Sequence, residues 1–131
     1  MVKIYDWAKR NQKVGAGKMA AAVFRNGDSN PISIGLNSLK THPLQAKFAN
    51  SPHRIYLHAE TEAISRAVRL LGDDLEGCSL YVARSKQPDC PVRGIAKPCS
   101  GCISCASHFG IDVIYYTLDK DEAIGEIALN G

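Results

Sequence analysis

The stretch PCSGCISCASHFGIDVIYYT, residues 98–117, decides the fold by its punctuation. Proline is favoured in the first turn of a helix and glycine just past its end, so Pro98 and Gly110 bracket a helix from about Pro98 to Phe109. The residues after it, Ile111 to Thr117, are rich in Ile, Val and Tyr, which suit a pleated, buried surface, and read as a central strand. Upstream, Cys78 to Ala83 is a second such run. Before that, His58 to Leu71 reads as a helix, because Ala63, Ala67 and Leu70, then Ile64, Val68 and Leu71, recur at three and four residues, with Gly72 at the stop. Helix, strand, helix, strand in succession is the pattern of crossover connections on one sheet.

Toward the N-terminus the pattern becomes extended. Met19 to Arg25 and Ile32 to Asn37 flank Asn26-Gly27-Asp28-Ser29-Asn30-Pro31, whose Asn-Gly pair is a strong hairpin signal. A short helix is expected from Val2 to about Asn11, then a flexible stretch at Val14 to Gly17. Ser38 to Arg54 is polar and broken by Pro43 and Pro52, so it reads as a loop with one helical turn around Leu44 to Phe48. The tail after Thr117 has room for a short helix around Lys120 to Ala128 and a stub of strand, but not for both at normal length. The expected architecture is a three-layer α/β domain over residues 1–131: a mixed sheet with an antiparallel N-terminal hairpin and helices on both faces.

Composition narrows the function. With 131 residues, 45% hydrophobic and 22% charged, one core can hold without disulfide staples. A formal charge of +3 is far weaker than the basic footprint of a dedicated nucleic-acid binder. No stretch approaches the ~20 apolar residues of a membrane span, and Met1 to Arg10 lacks an apolar run of signal-peptide length, so a cytoplasmic protein with no membrane partner is expected. Five cysteines, three of them at Cys99, Cys102 and Cys105, suggest metal binding or helix packing before a disulfide framework.

The chemistry gathers at two helix starts: His58-Ala59-Glu60 opens one and Pro98-Cys99-Ser100-Gly101-Cys102 the other. Cys99 and Cys102 are three apart at the start of a helix, which puts both sulfurs on one face near the positive helix end, where thiolates are favoured. One imidazole and two thiolates make a three-ligand zinc site. A structural zinc is normally closed by four protein ligands, whereas a catalytic one keeps a position for water, so the ligand count points to catalysis. Glu60, two residues past His58, is placed to carry protons. Taken singly, Cys-x-x-Cys is also a redox pair or half of a structural zinc knuckle, with Cys105 or Cys90 as the further ligand. Cys105 lies another three residues on, rotated by a further ~60° from the zinc-facing side, and core packing suits it better.

His-x-Glu followed by Pro-Cys-x-x-Cys, filled here by His58, Glu60, Pro98, Cys99 and Cys102, resembles the signature of the zinc-dependent cytidine and deoxycytidylate deaminases. The resemblance extends to Gly35-Leu36-Asn37, similar to the family's Gly-x-Asn, and to the order of elements over roughly residues 18–118. It implies Zn2+ as cofactor, Glu60 as proton shuttle, Asn37 on the sugar, and Ala59 and Ser100 as backbone contacts that orient the base. It also implies a homo-oligomer.

The substrate follows from finer features. His rather than Cys in the first motif resembles the deoxycytidylate, polynucleotide-editing and tRNA adenosine branches more than the free-cytidine branch. Ser38 and Glu62 depart from the deoxycytidylate pattern, where Gly and Asn are common. Three Phe, five Tyr and one Trp do not clearly supply the base-stacking platform expected of a polynucleotide editor. A pyrimidine mononucleotide, dCMP first, is therefore expected, with a cytosine or adenine in single-stranded DNA or RNA as the alternative. A catalytically silent, zinc-stabilised nucleotide-binding protein is the reading from a different class. Lys40 and His42, shortly after Asn37, are candidates for a phosphate, and Arg84 to Lys97 reads as a substrate lid or a plain surface insertion.

Overall fold

The computed structural model describes residues 2–11, 18–38, 47, 58–85, 93–94, 96–118 and 124–129. Helix α1 (Val2–Lys9) precedes strands β1 (Lys18–Arg25) and β2 (Ser33–Leu36). Helix α2 (Ala59–Leu71), β3 (Cys78–Ser85), β4 (Arg93–Gly94), α3 (Ser100–His108), β5 (Val113–Thr117) and β6 (Ile124–Ala128) follow. The sheet runs β2-β1-β3-β5-β6, with β4 paired to the end of β3. β1 is antiparallel to both β2 and β3, and β3 is parallel to β5, joined through α3 in the expected crossover.

Alternation along the central strands sorts two cores. Leu80 and Val82 of β3, with Ala21 and Val23 of β1, pack against α2 and α3. Ala20 and Ala22 of β1 and Ala83 of β3 pack against Ile4 and Ala8, one turn apart on α1. The run Ala20-Ala21-Ala22 is fully buried, and its small side chains let helices approach the sheet from both sides. This is the three-layer α/β arrangement expected from the sequence, with the hairpin strands at one end of the sheet.

The position of α2 is set by backbone contact. A side-chain carbon on Gly35 of β2 would lie 2.3 Å from the Ala59 carbonyl oxygen and 2.5 Å from the Ala63 nitrogen. Only glycine lets the first turn of α2 lie this close to β2. Ser33 Oγ donates to the Ala63 carbonyl at 2.6 Å, and Glu62 Oε1 accepts the Leu36 N–H at 3.3 Å while pairing with Arg66 at 3.2 Å. Arg66 also donates to the Ile34 carbonyl at 3.0 Å, so helix side chains cover polar groups of the β2 edge. The helix ends at Gly72, with φ of 89° and its N–H on the Val68 carbonyl.

Two expectations fail. The tail forms no helix over Ile124–Ala128; it is strand β6, antiparallel to β5, with Gly125 against the Tyr116 ring, which would have to shift to admit a side chain there. Leu70, placed by periodicity on the buried face of α2, is 68% exposed, because the buried residues of α2 lie between Ala59 and Ala67. The expected turn around Leu44 to Phe48 and the flexible stretch at Val14 to Gly17 lie outside the described residues, apart from Lys47. Of the Arg84 to Lys97 segment, the described part adds β4, which pairs Gly94 with Arg84 and Arg93 with Ser85.

Candidate metal centre

His58 and Cys99 occupy the same structural position in two helices. Each is the N-cap residue, in extended backbone conformation, and its carbonyl accepts the first intrahelical bond, from Glu62 N–H at 3.1 Å and Ile103 N–H at 3.0 Å. An N-cap side chain usually bonds back to its own helix. Neither does so here, and both turn instead toward each other. Cys102, one turn further along α3, is buried.

The three donor atoms lie within 4.8 Å of one another. His58 Nδ1 is 3.1 Å from Cys102 Sγ and 3.6 Å from Cys99 Sγ. Zinc bonds of ~2.3 Å to sulfur and ~2.0 Å to nitrogen, at a tetrahedral angle, give a nitrogen–sulfur separation of about 3.5 Å; the Cys99 distance matches this, and Cys102 needs to move outward by only about 0.4 Å to admit the ion. The electrostatics fit as well. The Cys99 thiol is held down to about 3, first by the hydrogen bond from Cys102 and, against burial, by the His58 ring. The Cys102 thiol is pushed up by that same bond and by burial, so the pair carries one thiolate and one proton for a metal to displace. Thr61 Oγ1, 3.7 Å from Cys102 Sγ, is a hydrogen-bond partner of that sulfur which the sequence reading missed; it stands one turn from His58 with no motif to mark it.

Glu60 is 2% exposed, and its Oε1 has no hydrogen-bond partner among the described residues. Burial pushes its carboxyl above the ordinary range, against the bond from its own backbone N–H and the nearby His58 charge. A buried carboxyl oxygen with no partner among the described residues, beside three candidate metal ligands, has the chemistry of a proton acceptor for a water or substrate atom.

Other expected site residues fall in several places. Ala59 and Ser100 are the first residues of α2 and α3, one buried and one exposed. Asn37 follows β2, with its Oδ1 accepting from Asn11 Nδ2 at 2.7 Å and Met19 N–H at 2.9 Å. Lys40 and His42 lie outside the described residues. Cys105 is buried in the α2–α3 core and pushed up to about 12 by burial, as its expected packing role requires. A cavity of about 720 Å3 lies on the other face of the sheet, between α1 and the β1–β2 loop, floored by Tyr81 and Tyr115. None of the three candidate ligands lines it, so the donor geometry, not cavity size, points to the chemistry.

Fold and donor set together define an α/β protein in which, among the described residues, His58, Cys99 and Cys102 form a three-donor site suited to zinc. The family described as the cytidine and deoxycytidylate deaminase zinc-binding region matches residues 1–118, and the chain belongs to that family. Guanine deaminase from Bacillus subtilis shares the fold at a TM-score of 0.56 with 22% identity, over 89% of this chain. The chain spans 60% of that protein's length. The dCMP deaminase of cyanophage S-TIM5 superposes at a TM-score of 0.54 with 20% identity, over 91% of this chain and 80% of that one. Among curated proteins none is similar to the chain in sequence. Among the described residues no helix is long and apolar enough to cross a membrane.

Proposed function

We propose that the chain hydrolyses the amino group of a cytosine mononucleotide, dCMP to dUMP and ammonia, with His58, Cys99 and Cys102 as zinc ligands and Glu60 as the proton carrier. The observation that carries this reading is the buried Oε1 of Glu60, without a partner among the described residues, beside a donor set of three. Zinc held there would supply a Lewis acid, lowering the pKa of a bound water from 15.7 to about 7. Glu60 takes one proton from the attacking water and delivers it to ring N3. The water oxygen adds to C4, the C4–amine bond breaks, and Glu60 passes the second proton to the departing amine, leaving a carbonyl and ammonia. Its raised pKa suits this traffic, because a carboxyl that both takes and returns protons works best near the operating pH.

In this reading the first-turn backbone at Ala59 and Ser100 orients the base, Asn37 meets the sugar, and Lys40 and His42 meet the phosphate. The 131 residues act as one domain in a cytoplasmic homo-oligomer. The mononucleotide is preferred to a polynucleotide because a net charge of +3 is weak for phosphate-backbone binding. Ammonia release from zinc-loaded protein, offered dCMP, CMP, cytidine, cytosine, guanine, adenosine, single-stranded DNA and RNA, tests the reading. Highest kcat/KM on dCMP is expected; turnover confined to a polynucleotide or to a purine overturns the substrate, and no turnover on any compound overturns the enzyme.

A further inference from the structure

Asn11 stands just past the C-terminal end of α1 and is 1% exposed. Its Nδ2 donates to Asn37 Oδ1 at 2.7 Å, to the Asn37 backbone oxygen at 3.0 Å and to the Met19 backbone oxygen at 3.4 Å. Backbone oxygens only accept, so the nitrogen end of the Asn11 amide is fixed by its partners. The same logic fixes Asn37. The Met19 backbone N–H only donates, and it meets Asn37 Oδ1 at 2.9 Å, so that atom is the oxygen. Two donors, Met19 N–H and Asn11 Nδ2, then fill both lone pairs of one carbonyl oxygen. Any bond Asn37 makes to a ligand is therefore made by donating from Nδ2.

We infer that Asn11 is a positioning residue: it locks the polarity of the Asn37 amide, so that the sugar is recognised through an oxygen that accepts a hydrogen bond. This rests on the assignment of Asn37 to the sugar. A hydroxyl oxygen satisfies the lock, and a sugar lacking its hydroxyls does not. The lock spans three elements, because it joins the end of α1, the start of β1 and the residue after β2, two of which flank the edge against which α2 packs.

Steady-state kinetics of the zinc-loaded full chain on dCMP and on 2′,3′-dideoxycytidine monophosphate test it. Asn37→Asp keeps an oxygen for Met19 and Asn11 but replaces the donor with an acceptor. It is expected to raise KM for dCMP by about tenfold, while leaving KM for the dideoxy compound within about twofold of wild type. Asn11→Ala, checked for zinc content and melting temperature, is expected to raise KM for dCMP to a similar extent with kcat little changed. If Asn37→Asp raises KM and Asn11→Ala does not, the sugar assignment stands and the positioning role falls. Unchanged KM in Asn37→Asp removes the sugar assignment and this inference with it. Equal losses on both compounds mark a merely structural role and overturn it too. Should Asn11→Ala fail to fold, 15N spectra of the wild type decide: the Asn37 NH2 signal shifts on adding dCMP and the Asn11 NH2 stays exchange-protected, and an unmoved Asn37 signal refutes the inference.

Discussion

Gly35→Ala is the sharpest test of how the fold builds the site. Gly35 is required for space, since its missing Cβ would stand 2.3 Å from the Ala59 oxygen, 2.5 Å from the Ala63 nitrogen and 3.0 Å from Glu62 Cβ. The first two are backbone atoms and no rotamer relieves them. To reach an ordinary contact of about 3.4 Å, the first turn of α2 must back away from β2 by roughly 1 Å. Overpacking of this kind costs about 1–3 kcal/mol, and the Ser33–Ala63 and Glu62–Leu36 bonds stretch with it. At roughly 4 °C per kcal/mol, melting falls by about 4–12 °C. The larger effect falls on the chemistry, because His58 and Glu60 ride on the displaced turn while Cys99 and Cys102 ride on α3. A misplacement of about 1 Å costs on the order of 100-fold in turnover. Zinc stoichiometry against a competing chelator, ammonia release and thermal unfolding measure the three consequences. A Gly35→Ala protein that holds zinc and turns over within about threefold of wild type refutes the idea that this contact sets the site.

Glu60→Gln is expected to keep zinc yet lose at least about 100-fold in ammonia release. It also carries a pH signature in chelator-treated protein. Burial raises the folded pKa of Glu60, so the ionised side chain opposes folding as pH climbs through that raised value and not below the ordinary 4.5. Glu60→Gln should therefore melt higher than wild type at pH 7.5 but not at pH 4, and an equal difference at both sinks the argument. Zinc at about 1,000 times its Kd should stabilise the wild type by about 4 kcal/mol and leave Cys102→Ser unmoved; a Cys102→Ser protein stabilised as strongly removes that sulfur from the ligand set. With the metal stripped at pH 8, iodoacetamide should label Cys99, whose thiol is held at about 3, and spare Cys105, pushed up to about 12. Peptide mapping that finds both labelled at one rate contradicts those environments.

The candidate zinc ligands were legible in the sequence because each motif opens a helix, and a helix start converts residue spacing directly into direction. His58 and Cys99 needed only the knowledge that they stand at N-caps; the crossover order of the strands did the rest. What local pattern missed depends on distant partners. Ile124–Ala128 has no alternation that marks a strand, and becomes one by pairing with β5, with Gly125 making room for Tyr116. Leu70 satisfies helical periodicity, but periodicity says nothing of where the covering sheet ends. Asn11 reads as an ordinary polar residue at a helix end, and its value appears only when Asn37, far along the chain, comes to face it.

These cases separate two kinds of information in the site. Atoms that do chemistry lie on helix starts, where a short motif is sufficient to aim them. Atoms that hold those starts in register lie on the sheet, and they act by being absent or by being saturated. Gly35 admits α2 because it lacks a side chain, and Asn37 keeps its oxygen inward because two donors already claim it. Substitutions of the first kind should remove metal or turnover outright, as in Cys102→Ser and Glu60→Gln. Substitutions of the second kind should leave every chemical group present and still degrade function, Gly35→Ala through distance and Asn11→Ala through the direction of one amide. If the second kind proved silent, the site would have to be assembled by its metal alone, and the close contact between β2 and α2 would serve stability only.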